Sequence, residues 1–188
     1  MPHATSASNK AQIKSGWTSS MSDEPQLRDD LIESSDDYGI QLPGWLINYI
    51  EQVPPALGEC CPIDSEALLV SSFDLAFRLH KGQFRVSGEP YIIHPVAVAS
   101  LLREIGASPK VVAAGFLHDV VEDTNITLEQ LENYFGNEVR GLVEGVTKLG
   151  GIHFPNRTEA QAENLLKMFL AMARDIRVVL VKLADRVH

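Results

Sequence analysis

An all-α helical bundle is the fold class the sequence predicts, and three observations lead to it. Apolar residues recur at a period near 3.6 between Leu42 and His188, as in Leu68, Phe73, Ala76, Phe77 and Leu79. Helix starts (Ser, Asp or Thr ahead of proline or an apolar run) and glycine stops punctuate the same region. The one segment rich in β-branched residues, IRVVLVKLADRVH (176–188), has only helical neighbours, so as a lone strand it would leave its backbone unpaired.

Taken in order, residues 1–41 are expected to form a disordered polar tail, because their Ser, Asp and Glu content offers too little burial to offset the entropy of ordering. Within it, SDEPQLRDDLIESSDD (22–37) reads as a solvated charge run. Residues 42–188 form the expected domain. PGWLINYI (43–50) is a short amphipathic piece, and VPPALGECCP (53–62) is a loop marked by prolines. Asp64 can cap a helix through EALLVSSFDLAFRLH (66–80) that stops at Gly82, and GQFRVSGEPY (82–91) is a loop. Pro95 suits the first turn of a helix with His94 near its N-cap, continuing through VAVASLLREIG (96–106). Ser108 and Pro109 open PKVVAAGFLHDVVED (109–123) in the same way. Thr127 and Gln130 form a capping-box pattern ahead of LEQLENYFG (128–136), and EVRGLVEGVTKLG (138–150) follows. HFPNRT (153–158) is a loop, EAQAENLLKMFLAMAR (159–174) a helix, and Asp175 caps the last helix, 176–188.

Composition narrows the function classes. The chain has 188 residues, 45% hydrophobic and 22% charged, and no apolar run near the ~20 residues of a membrane span. A compact portion of ~150 residues can bury roughly 70% of its unfolded surface, so no staple is needed. A net charge of −9 argues against a broad nucleic-acid surface, although a metal or a local basic pocket can still hold a small anion. Cys60 and Cys61 are adjacent and cannot bridge distant segments, which fits a reducing cytoplasm. Residues 1–22 lack the apolar core of a secretory signal.

The stretch GFLHDVVEDT (115–124) concentrates the chemistry. On a continuous helix with His118 at zero, Glu122 falls near ~40°, Asp119 near ~100° and Asp123 near ~140°, opposite Leu117, Val120 and Val121. A solvated acidic face explains that pattern. A bound cation also explains it, and would relieve the like-charge repulsion between Asp119 and Asp123 at i,i+4. His94 and Asp185 end apolar segments, IIHP and VVLVKLAD, where polar groups need partners. Singly, one is a helix cap and the other an arginine partner; together with His118 and Asp119 they make a mixed nitrogen and oxygen set. Such a set suits Mn²⁺ or a similar divalent ion with open water positions better than a closed structural zinc site.

HPVAVA (94–99), AAGFLHDVVEDT (113–124), VEGVTKLG (143–150) and IRVVLVKLADRVH (176–188) together resemble the hydrolase domain of the Rel/SpoT family, in order and with matching spacing. The resemblance implies a histidine-aspartate (HD) helical fold with one Mn²⁺ held by His94, His118, Asp119 and Asp185. It also implies that Glu122 and Asp123 order or deprotonate the attacking water, and that Arg85, Ser87 and Tyr91 line a guanosine site. The implied reaction removes the 3′-pyrophosphate of guanosine tetraphosphate (ppGpp) or pentaphosphate, giving GDP or GTP and pyrophosphate. Alternatives are an HD phosphohydrolase acting on another nucleotide and a non-catalytic nucleotide-binding module. Val86 stands where many such proteins carry a basic residue, and the chain stops at His188 within the last helix. The domain is therefore expected to be incomplete at its C-terminal end, a fragment prone to weak activity or self-association.

Overall fold

The computed structural model describes residues 29–52, 65–150 and 175–188. The expectations for residues 1–28, the 53–62 loop with Cys60 and Cys61, the Asp64 cap, the 153–158 loop and the 159–174 helix lie outside the described residues. Eight helices are described: α1 (Asp29–Asp37), α2 (Gly44–Gln52), α3 (Ser65–Leu79), α4 (Ile93–Glu104), α5 (Pro109–Leu117), α6 (Val120–Asp123), α7 (Leu128–Gly150) and α8 (Ile176–Val187). Among the described residues the one β-type pairing is a bridge between Phe84 and Pro90. The all-α expectation holds.

Helix α5 is the axle of the bundle. It packs against α3, α4, α7 and α8, and every residue from Val111 to Leu117 is buried. A helix surrounded in this way must be apolar all round, which VVAAGFL is. Its start follows the sequence signal, with extended Ser108 ahead of Pro109 in the first turn. The Phe116 ring lies 5.7 Å from Phe73 of α3 and 6.2 Å from Trp45 of α2. Burying such a ring contributes roughly 1.5–3 kcal/mol.

Small residues let α4 come close to α5. A Cβ at Gly115 would lie 2.7 Å from Leu102 Cδ1 and 3.3 Å from the Ala99 Cα, which is backbone and cannot swing aside. Gly115→Ala is therefore expected to cost about 1–3 kcal/mol through overpacking, read as a lower denaturant midpoint at unchanged m-value. An unchanged midpoint would contradict this packing.

Other local signals are realised as written. Thr127 N–H donates to Gln130 Oε1 at 2.9 Å and Gln130 N–H donates to Thr127 Oγ1 at 3.2 Å, the reciprocal capping box. Asp175 accepts from the Arg177 N–H at 3.0 Å and opens α8. The break expected near residue 136 falls at Gly136, whose φ of 81° and ψ of 167° interrupt α7. Segment 176–188 is a helix because Val178, Val179, Val181 and Ala184 bury one face of α8 against its neighbours, which overrides β-branched preference.

Three expectations need correction. The tail does not extend to residue 41: α1 is helical, Leu31 and Ile40 are buried, and Tyr38 meets Phe77 edge-on at 6.4 Å. The acidic average of that stretch hid a few apolar side chains that one helical face gathers. Helix α4 begins at Ile93, so His94 lies inside its first turn instead of capping it. The segment 109–123 is not one helix either, since α5 ends at Leu117, His118 and Asp119 form a turn, and α6 restarts at Val120.

Candidate metal and hydrolase site

That turn builds the site. Because α5 is enclosed on all sides, His118 just beyond its end is almost fully buried, not placed on a wet acidic face as a continuous helix would have it. Asp119 is half-buried, and Glu122 and Asp123 on α6 are exposed. Helix α4 supplies His94 and α8 supplies Asp185, so segments far apart in sequence converge on the junction. The ligand atoms of His94, His118 and Asp185 all lie within 4.8 Å of one another. Asp119 Oδ2 completes the group, 3.1 Å from His118 Nε2 and 3.9 Å from His94 Nε2.

The inward atoms are set by outer partners. His118 Nδ1 is 2.8 Å from the Gly115 carbonyl, an obligate acceptor, so Nδ1 carries the proton and Nε2 faces the cluster. Asp185 Oδ2 accepts from Lys182 Nζ at 2.7 Å, which leaves Oδ1 turned to His94 Nε2 at 3.1 Å. Tyr91 Oη approaches Asp119 Oδ2 at 2.6 Å and Asp123 Oδ2 at 2.8 Å. One hydroxyl proton thus serves two carboxylates. The Tyr91 ring stacks on buried His80 at 4.7 Å, and the His80 Nδ1 contacts Gln83 Oε1 at 2.8 Å.

Of the expected substrate-binding residues, Tyr91 touches the cluster, Arg85 approaches it only through His188, and Ser87 does not reach it. All three ride on the hairpin closed by the Phe84–Pro90 bridge. Arg85 Nη1 reaches His188 Nδ1 at 3.4 Å, whereas the Ser87 hydroxyl turns back to Glu89 Oε2 at 3.3 Å within the hairpin. Tyr91 faces acids, not an open wall. Lys182, His188 and His80 were missed from sequence. Lys182 and His188 each lie three residues from Asp185, on either side of it, a helical spacing that could have flagged both. For His80 no sequence signal distinguishes an ordinary core histidine.

Proton affinities follow from the crowding. Burial opposes charge on His118, but the Asp119 and Asp185 carboxylates and the Gly115 carbonyl overrule it and raise its pKa to about 9. Asp185, although burial works the other way, is held well below the usual carboxylate range by His118, His94 and Lys182. Asp119 is lowered too, against burial, chiefly by His118. Glu122 is raised, first by burial and then by the Asp119 charge. Burial and the two carboxylates push Tyr91 far above its ordinary value, so its hydroxyl stays a donor.

The donor set fits a divalent cation. His118 Nε2 is buried without a hydrogen-bond partner, its approaches to Asp119 and Asp185 lacking the angle of one, and a lone buried nitrogen aimed at two carboxylates is what an ion would satisfy. A cation must displace the His118 proton. Its affinity is therefore expected to rise roughly tenfold per pH unit below about 9 and to level off above, one proton being released per ion. Titration calorimetry at several pH values checks this, and a flat affinity between about pH 6.5 and 8.5 would contradict it.

An enclosed helix ending in a His-Asp turn, joined by a histidine and an aspartate from flanking helices, defines the class. The chain belongs to the HD-domain family, whose model matches residues 72–188. Within that family its relatives are of the Rel/SpoT type. It is 52% identical over 157 residues to a probable guanosine-3′,5′-bis(diphosphate) 3′-pyrophosphohydrolase of Synechocystis sp., covering 82% of this chain and 21% of that protein. It is 50% identical over 127 residues to the bifunctional (p)ppGpp synthase/hydrolase SpoT of Escherichia coli K12, covering 68% of this chain and 18% of that protein. A solved structure of a metazoan orthologue of SpoT, described as hydrolysing ppGpp and playing a role in starvation responses, matches with a TM-score of 0.51 and 33% identity, over 63% of this chain and 66% of that one. The chain thus spans about a fifth of the length of these curated relatives. Among the described residues no helix is long and apolar enough to cross a membrane.

Proposed function

We propose that this chain carries a Mn²⁺-dependent site that hydrolyses the 3′-pyrophosphate of guanosine tetra- and pentaphosphate, releasing pyrophosphate and GDP or GTP. One observation supports it above all: two imidazoles and two carboxylates converge at the α5–α6 turn, with Glu122 and Asp123 one helical turn away. The names of the relatives supply the substrate.

His94, His118, Asp119 and Asp185 would hold the ion. When bound, Mn²⁺ lowers the pKa of a coordinated water and offsets charge on phosphoryl oxygens. Glu122, whose proton affinity is raised by burial and Asp119, accepts the proton from the attacking water. Asp123, fixed by Tyr91, orients that water. Oxygen from water joins the phosphorus attached to the 3′-oxygen, the phosphorus–oxygen bond to the ribose breaks, and the 3′-oxygen leaves as a hydroxyl, taking up from solvent a proton equivalent to the one Glu122 accepted and returns. Arg85, at the edge of the cluster, supplies a planar cation for base or phosphate.

The experiment is pyrophosphate release from a nucleotide panel with Mn²⁺, with and without chelator. Release confined to 3′-pyrophosphorylated guanosines is expected. Turnover of other nucleotides favours a broader HD phosphohydrolase, a reading aided by Val86, which is fully exposed at the hairpin tip and adds no charge there. Binding of nucleotide without turnover favours a non-catalytic module.

A further inference from the structure

The two site histidines are steered by different means. His118 has its Nδ1 proton pinned by a backbone carbonyl. Among the described residues no carbonyl meets His94 Nδ1, which lies 3.2 Å from Nδ1 of His188. Two facing Nδ1 atoms can make a hydrogen bond only if one donates and the other accepts. Arg85 decides which. Its Nη1 lies 3.4 Å from the same His188 Nδ1, and a guanidinium only donates. His188 Nδ1 therefore presents its lone pair, shared between the two neighbours. His94 Nε2 faces Asp185 Oδ1 at 3.1 Å, and an ion held at Nε2 takes that side of the ring, which leaves Nδ1 as the nitrogen that carries the proton and makes His94 the donor.

We propose that His188 is a positioning residue for His94: it accepts the His94 Nδ1 proton, with its own polarity set by Arg85, so that the His94 Nε2 lone pair faces the cation. This rests on the metal-site reading above. It adds a relay from the hairpin to the site, Arg85 to His188 to His94, and makes the orientation of His94 depend on a side chain that can be changed without touching the core. The two rings are tilted against each other, with centroids 5.5 Å apart and planes at 33°. His188 is exposed, so its replacement does not open a cavity.

The test is Mn²⁺ affinity, by calorimetry, of the full chain, His188→Leu and His188→Asn. The Oδ1 of asparagine branches from Cγ where Nδ1 does in histidine and only accepts, so it can stand in for the proposed group. His188→Leu is expected to bind about 10–100-fold more weakly, the range for losing an outer partner of a ligating histidine, and His188→Asn to recover most of that loss. A merely space-filling His188 would give the reverse order or no difference. Long-range proton–nitrogen NMR of the Zn²⁺-loaded chain adds a direct readout, with His94 Nδ1 expected as the protonated nitrogen. Absence of Mn²⁺ binding by the parent chain sinks the metal reading and this one together. Equal binding by parent and His188→Leu, or His94 coordinated through Nδ1, overturns the relay alone.

Discussion

Asp185→Ala is expected to abolish Mn²⁺ binding, weakening it by more than roughly a hundredfold, and pyrophosphate release with it. The size follows from what the residue does twice. Its Oδ1 lies close to both imidazoles, 3.1 Å from His94 Nε2 and 3.7 Å from His118 Nε2. Loss of an outer partner alone typically costs 10–100-fold in affinity, and a direct donor should cost more. Its Oδ2 also neutralises Lys182 at 2.7 Å, so truncation leaves an ammonium beside the site that repels the incoming cation. Calorimetric titration, with circular dichroism as a check on folding, decides the matter. An affinity matching the parent would remove Asp185 from the coordination.

Glu122→Gln is expected to separate binding from turnover. The glutamine keeps shape and hydrogen bonding but cannot take a proton, so Mn²⁺ affinity stays near the parent value while the rate falls about 10²–10⁴-fold. The acid limb of the rate profile is expected to belong to the same group: in the proposed role Glu122 acts ionised, and its pKa is raised, so activity should fall as pH drops through a point above the ordinary glutamate value. That limb should vanish in the variant. Stability moves the opposite way. A carboxyl whose folded pKa lies above its unfolded one helps the fold at low pH and loses that contribution as pH rises through the folded value. At neutral pH, Glu122→Gln should therefore leave stability unchanged or slightly higher. Equal loss of metal affinity and rate would place Glu122 among the ligands instead.

Much of the fold was legible because its signals are local. The capping box at Thr127 and Gln130, the Asp175 cap, the Ser108–Pro109 start and the break at Gly136 each depend on a few neighbouring residues and formed as the sequence indicates. The signals that misled were averages and idealised wheels. A charge-rich stretch concealed α1, whose buried Leu31 and the following Ile40 count for more than its mean composition. A helical wheel over 109–123 presumed a continuity that the His118–Asp119 turn breaks.

The sequence alone determined the helical class, most of the helix starts and stops, and the four candidate donors spaced along the chain, two histidines and two aspartates, since all of these are carried by patterns within a few residues or by the motifs that resemble those of Rel/SpoT proteins. Only the tertiary structure decided that His118 is enclosed, that Asp185 is turned inward by Lys182, that Tyr91 couples Asp119 to Asp123, and that His188 sits against His94. The reason is one of range. Capping and periodicity act through the chain, whereas the direction of a buried polar atom is set by whichever partner the packing of distant helices brings within about 3 Å.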